Sequence, residues 1–341
     1  MVVTAMFTAS CKKSVTPSPD PVQNSDVDVY LAGDVIATNG KNVATYWKNG
    51  IAVRLADSLS NSRCNSMIVQ GNDVYIAGAI LGTDDDVAHY YFGAAYWKNG
   101  VVTQLDKGPN YSEAFGITLV GKDIYVGGNT SDDALLPFAT YWKNGVETKL
   151  PAPYPGSDVY AVGSNGTDVI FAGDTRYNDN YAYRATYWKT TGSPVPLADD
   201  GNGAAYAVAM SGNDVYTCGY VGSNAFYWKN STSNLLSNLS STRVNGIGIS
   251  GQDVYVVGST IFNGRNVATY WKNGVPTRIG DGLSDSSAYG VAFNATDIYI
   301  SGYTYDTQGR QIATYWKNGV AKQLTQISKG SRAFSIAVVK H

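Results

Sequence analysis

Seven times the chain spells Tyr-Trp, at Tyr46-Trp47, Tyr96-Trp97, Tyr141-Trp142, Tyr187-Trp188, Tyr227-Trp228, Tyr270-Trp271 and Tyr315-Trp316. All seven tryptophans are used this way, and successive pairs lie 40 to 50 residues apart. A repeat of that size marks a propeller or a solenoid, because each unit is a small structure that buries its faces only against its neighbours.

One repeat, Ala114 to Leu150, shows what the unit is. Ala114-Phe115-Gly116-Ile117-Thr118-Leu119 alternates small and large residues. Asp123 to Gly128 reads as a second strand, Ala139 to Lys143 as a third and Val146 to Leu150 as a fourth. Asn144-Gly145 joins the last two, and Asn-Gly between strand-like runs is the strongest short hairpin signal, since both central residues of a type I′ turn need positive φ. The same dipeptide recurs at Asn49, Asn99, Asn273 and Asn318. Four antiparallel strands make one propeller blade.

The chain ends decide the closure. The first repeat opens on its second strand, Val27 to Gly33, and the last segment, Arg332 to Val339, aligns with the first strand Ala288 to Phe293. Pairing the two completes a blade and removes exposed edges. The predicted fold is therefore all-β, a seven-bladed β-propeller of four-stranded antiparallel blades over 27–341, closed by the C-terminal strand on the N-terminal blade.

Two further columns recur. An aspartate opens each second strand, at Asp28, Asp73, Asp123, Asp168, Asp214, Asp253 and Asp297, with Tyr two residues on except at Ile170. A residue needed once per blade serves the blade, so these are expected to cap turn N–H groups rather than hold metal. Tyr and Trp of each pair point to opposite faces of a strand covered on both sides. Burial of both is expected, worth roughly 4–6 kcal/mol per ring as an upper bound. A column near the start of the first strands reads Asn65, Phe115, Tyr160, Tyr206, Asn245, Tyr289 and Phe334. The column has two readings, a ring at the channel mouth or packing between blades, and packing is the expected role because it shares a strand face with Ile117, Val291 and Phe293.

Composition narrows the function. Charged residues are 15% of the chain and the net charge is −2 with no basic block, which excludes the clustered Lys and Arg that nucleic-acid binding requires. Cys64 and Cys218 occupy non-equivalent repeat positions and read as buried hydrophobes. Of two histidines, His89 and His341, the second is terminal, and only Glu113 and Glu147 are glutamates. No His-Glu-x-x-His, Gly-x-Ser-x-Gly, P-loop or dinucleotide motif occurs. The expectation is no enzyme, no cofactor and no metal.

The connections between first and second and between third and fourth strands are short and uniform; the others are long and differ in every blade. Varied loops on a rigid scaffold are where binding usually sits. Candidate ligand residues are Asp84, Asp85, Asp86, His89, Tyr90 and Tyr91 in one loop, Arg176, Tyr177, Tyr181 and Tyr183 in another, and Tyr303 and Tyr305 in a third. The three aspartates lack the alternating spacing of a calcium loop. Tyr and Asn suit contact with a glycan or a protein. The alternatives are a polysaccharide-active hydrolase or lyase on the same scaffold, or a non-catalytic envelope scaffold.

The repeat region from about residue 26 onward resembles bacterial cell-envelope propeller lipoproteins built on Ala-Thr-Tyr-Trp-Lys-Asn-Gly, through Ala44–Gly50, Ala139–Gly145, Ala268–Gly274 and Ala313–Gly319. A looser likeness to kelch propellers rests on Gly127-Gly128. The fifth repeat departs, with Asn230-Ser231 where the turn glycine stands elsewhere, which questions its outer hairpin; the fourth has a longer turn, Lys189 to Gly192. The N-terminus fits a lipoprotein too. An apolar segment, residues 1–11, ends in Ala9-Ser10-Cys11, and a Lys, Ser, Thr and Pro-rich tether follows over 12–26. Lipidation at Cys11 is the expectation. Thr8 stands where leucine is usual and no basic segment precedes, which points to a start upstream of Met1. The resemblance implies an exported monomer, lipid-anchored to the outer membrane and otherwise free of it; it says little about activity.

Overall fold

In the computed structural model the described residues are 26–59, 61–81, 92–106, 110–178, 180, 182–190, 192–198, 201–324 and 329–341. They form twenty-eight strands in seven four-stranded antiparallel sheets, with no helix among them. Blade three is representative. Its strands run Ser112–Val120, Asp123–Ser131, Pro137–Lys143 and Val146–Lys149, from the innermost outward.

Blade one takes its innermost strand, Gly330–Lys340, from the C-terminus. That strand pairs antiparallel with Val27–Ile36, Ala337 opposite Tyr30 and Ser331 opposite Val35. The ring therefore closes as the strand alignment predicts.

The described residues form seven hydrophobic clusters rather than one core. Each tryptophan, at most 1% exposed, enters the seam with the preceding blade. Trp97 meets Tyr30, Ala32 and Ala44; Trp47 meets Tyr299, Ala313 and Leu324, across the point of closure. The tyrosines of the pairs are only partly buried, apart from Tyr187. The tyrosine of each pair thus recovers less than full burial; Tyr46 and Tyr96 pack against the seam with the following blade. Serine hydroxyls stitch five seams: Ser62, Ser112, Ser157, Ser286 and Ser331 each accept a backbone N–H from the third strand of the preceding blade, at 2.9–3.0 Å.

The recurring aspartates are structural, but their partners differ from the expected turn amides. In blade three Asp123 accepts the Asn144 amide at 2.8 Å and the Lys143 ammonium at 2.8 Å. Asn144 in turn accepts the backbone N–H of Ile124 at 2.9 Å. Lys143 also lies 5.3 Å from the centre of the Tyr125 ring. The asparagine, held at positive φ by the hairpin, thus does the capping and the aspartate orients it. Six blades carry this clasp. Blade four replaces it with an Asn165 turn, and its outer strand shrinks to Val195–Pro196.

Blade five keeps its outer hairpin despite Ser231. Lys229 pairs with Thr232 across the turn, and Asn230 alone has positive φ. One positive φ at the first central position is the type II′ pattern, which also suits hairpin twist. Cys64 and Cys218 are free and fully buried.

Candidate functional site

The site begins with a fault repeated in every blade. Each innermost strand carries a β-bulge against the second strand. In blade two Cys64 faces Gly78 and Ser66 faces Ala77, leaving Asn65 unpaired. The same shift leaves out Phe115, Tyr160, Tyr206, Asn245, Tyr289 and Phe334. A bulge bends the strand and re-aims the extra side chain.

A glycine makes room for it. Five residues after each recurring aspartate stands Gly33, Gly78, Gly128, Gly173, Gly219, Gly258 or Gly302. At all seven a Cβ would lie 1.8–2.0 Å from a carbonyl oxygen of the bulged strand. No side chain fits there, so the glycine column and the bulge column are one device.

The seven bulged residues converge. All line one cavity of about 540 Å³ at the mouth of the central channel, on the side of the variable loops. This corrects the expectation that the column packs between blades: its members share a strand with the core residues, but the bulge breaks the alternation and turns them toward the axis. Neighbouring rings meet edge to face, Phe115 with Tyr160 at 5.9 Å, Tyr160 with Tyr206 at 5.4 Å and Tyr289 with Phe334 at 5.1 Å. The two asparagines bond to the next blade instead, Asn65 Nδ2 to the Ala114 carbonyl at 3.0 Å and Asn245 Nδ2 to that of Ala288 at 2.8 Å. Tyr206 is the most open ring, 38% exposed. The cavity extends over blades five and six through Tyr220, Ser223, Ser240, Thr242 and Arg243. There the hairpin between second and third strands of blade five is a bare turn, Gly222-Ser223.

Charges sit just behind the collar. Arg332 makes a forked contact with buried Asp34, at 2.8 and 3.2 Å. Glu113, 2% exposed, accepts the Asn65 amide at 2.8 Å and the Tyr111 hydroxyl, and lies 3.6 Å from Arg63. Asp158 and Asp174 face each other across blade four. Asn129 donates to Asp158, and burial pushes that carboxyl upward. Tyr160 donates to one oxygen of Asp174 at 3.1 Å; the other is buried with no hydrogen-bond partner. Burial, and then the Asp158 carboxylate, push Asp174 up to about 8, so it is mostly protonated at neutral pH. Among the described residues no three His, Cys, Asp or Glu side chains gather as metal ligands.

The loop residues singled out in the sequence fall in separate places. Asp84, Asp85, Asp86, His89, Tyr90, Tyr91 and Tyr181 lie outside the described residues, as does Cys11. Arg176 ends the second strand of blade four; its Nε donates to the Asn178 carbonyl at 2.9 Å, and its guanidinium lies 5.9 Å from the Tyr154 ring. Arg184 covers Tyr177 at 4.4 Å. Tyr183 opens the third strand, its backbone N–H bonded to Asn202. These described side chains fold against blade four. Tyr303 joins the channel mouth from behind, 6.2 Å from Tyr289. Tyr305 stacks edge-on to Tyr303 at 5.9 Å and lines a second cavity of about 530 Å³, between the outer strands of blades six and seven. The collar itself escaped assignment as a site. Its signal was present in the sequence as the glycine five residues after each aspartate.

No protein-family model and no curated protein matches the chain. Solved structures do. A puromycin-hydrolyzing peptidase of Mycobacterium tuberculosis superposes with a TM-score of 0.59 at 9% identity, over 88% of this chain and 52% of that one. An acylaminoacyl peptidase of Pyrococcus horikoshii gives 0.53 at 12%, over 88% and 51%. The chain thus spans about half the length of these peptidases. The β-propeller domain of the trilobed protease from Pyrococcus furiosus gives 0.52 at 10%, over 89% and 95%. That domain is described as an open velcro, whereas here the terminal strands are hydrogen-bonded along their length. The likeness is one of fold.

Proposed function

We propose that the protein is a non-catalytic binding module that holds a saccharide at the channel mouth. One observation carries this reading: seven bulges, each accommodated by a glycine, deliver five aromatic rings and two asparagines to a single open cavity. Flat apolar faces beside amides and hydroxyls match the alternation of C–H faces and hydroxyl edges on a sugar ring. A cavity of about 540 Å³ lies in the usual range for ligand sites. No carboxylate is among the described residues lining it, and Asp158 and Asp174 stand behind Tyr160 rather than at its surface. Paired-carboxylate hydrolysis needs two such groups flanking the scissile bond, so binding is favoured over the hydrolase or lyase alternative.

We also infer display on the cell envelope through a lipid at Cys11, with the rest of the chain outside the bilayer. The support is Ala9-Ser10-Cys11 followed by a Pro-rich tether. Among the described residues no helix is long and apolar enough to cross a membrane. Mass spectrometry of the protein from a bacterial membrane fraction is expected to find a diacylglyceryl cysteine, absent in Cys11→Ser.

The test of the site is a glycan array probed with the full chain and with Tyr206→Ala and Tyr289→Ala. Binding by the unaltered chain is expected, with a loss of about 5- to 150-fold in each variant, on the scale of the about 1–3 kcal/mol that stacking of a nucleic-acid base on one aromatic ring is worth. Full retention of binding in both variants excludes the collar.

A further inference from the structure

Three arginines occupy the same register position, two residues before the bulge: Arg63, Arg243 and Arg332. Two have acid partners. Arg332 faces Asp34 across its own blade, and Arg63 reaches Glu113 in the next one. Arg243 has neither. The residue facing it is Ser259, and Ser287 stands where blade three has Glu113. No carboxylate among the described residues lies within ion-pair distance of it. Arg243 is exposed and lines the cavity together with Tyr206, Tyr220, Tyr289, Ser223 and Ser240.

Resting on the saccharide reading, we propose that the ligand is acidic, an oligosaccharide of uronic acid whose carboxylate pairs with Arg243 while a sugar ring stacks on Tyr206. A planar guanidinium meets a carboxylate through two parallel N–H···O bonds, which selects a carboxylate over a hydroxyl at the same position. Taken from water into a half-enclosed aromatic mouth, that pair is stronger than an exposed ion pair. The remaining collar contacts are uncharged and serve acidic and neutral sugars alike. The arginine therefore sets the preference, and the rings supply the shared affinity.

The experiment is calorimetric titration of the full chain with oligosaccharides of galacturonic, mannuronic and glucuronic acid, each beside its methyl ester. The ester keeps the shape and removes the charge. At least one acid is expected to bind tenfold or more tighter than its ester. Arg243→Gln is expected to erase most of that difference, with a much smaller change for the ester, and Arg243→Lys to restore part of it. An unchanged melting temperature in Arg243→Gln separates lost recognition from lost fold. Equal binding of acid and ester across the panel overturns the inference and leaves the saccharide reading standing, as does a preference that survives Arg243→Gln. Tighter binding of a uronate-free sulfated galactan than of every uronate also overturns it. No binding of any acid, ester or neutral glycan removes both.

Discussion

Gly258 shows how much one hydrogen atom decides. A methyl group there would sit 1.9 Å from the Arg243 carbonyl oxygen, so Gly258→Ala cannot keep the bulge that aims Asn245 and Arg243 at the cavity. The expected cost is about 2–4 kcal/mol, read from the denaturant midpoint, together with loss of ligand binding. A destabilisation under about 0.5 kcal/mol would show that the bulge does not depend on the glycine. Asp174 gives a second residue-scale prediction. Its folded pKa, about 8, stands above the ordinary value of 3.8, so the folded state binds its proton more tightly than the unfolded chain does. Stability from this group is whole below about pH 4 and declines as pH rises through 8. Asp174→Asn keeps an oxygen for Tyr160 and removes the charge. It is expected to raise stability at pH 8–9 by on the order of a few kcal/mol, with the gain vanishing near pH 4. A gain independent of pH would mean that the carboxyl is not held protonated.

At the scale of the element, the hairpin between third and fourth strands is a closed polar circuit of Asp, Lys and Asn. Asn144 holds its left-handed φ of 51° while its side chain caps Ile124 and binds Asp123. Asn144→Ala loses both contacts and keeps the strained φ, so a drop of about 1–2 kcal/mol is expected in thermal or denaturant unfolding. The Lys143 and Asn144 hydrogen bonds hold Asp123 below the ordinary carboxylate range, and Lys229 and Asn230 do the same for Asp214. Here the sign is the reverse of Asp174. Stability from these groups is present above pH 4 and lost as pH falls below it, so acid weakens the clasps and alkali weakens blade four.

The whole molecule depends on a contact between its ends. Residues 330–340 supply the innermost strand of blade one and, through Phe334, part of the collar. Deleting 329–341 leaves the edge of Val27–Ile36 unpaired beside an open seam, and an unpaired edge recruits other chains. The truncated protein is expected to self-associate in size-exclusion chromatography and to lose its sharp thermal transition. A peptide of residues 329–341 added in trans is expected to restore both by strand addition. A monomeric, cooperatively folding truncation would mean that six complete blades hold the ring without the closing strand.

Much of this was legible in the residues alone. The Tyr-Trp period, the Asn-Gly turns and the matching half-blades at the two ends specify strand number, hairpin register and closure, because the pair recurs in all seven blades, the turn in five, and the two chain ends supply complementary parts of one blade. The collar was not legible in the same way. Read as a strand, Phe115 and Tyr160 alternate with core positions and look buried, and only the register shift beside Gly128 and Gly173 sends them to the axis. The unmatched Arg243 was equally hidden, since its lack of a partner is a fact about Ser259 across the blade and Ser287 in the next. Local sequence determines how a strand alternates and turns. Which side chains meet at the axis, and which charge is left over there, is decided only when seven unequal copies are closed into a ring.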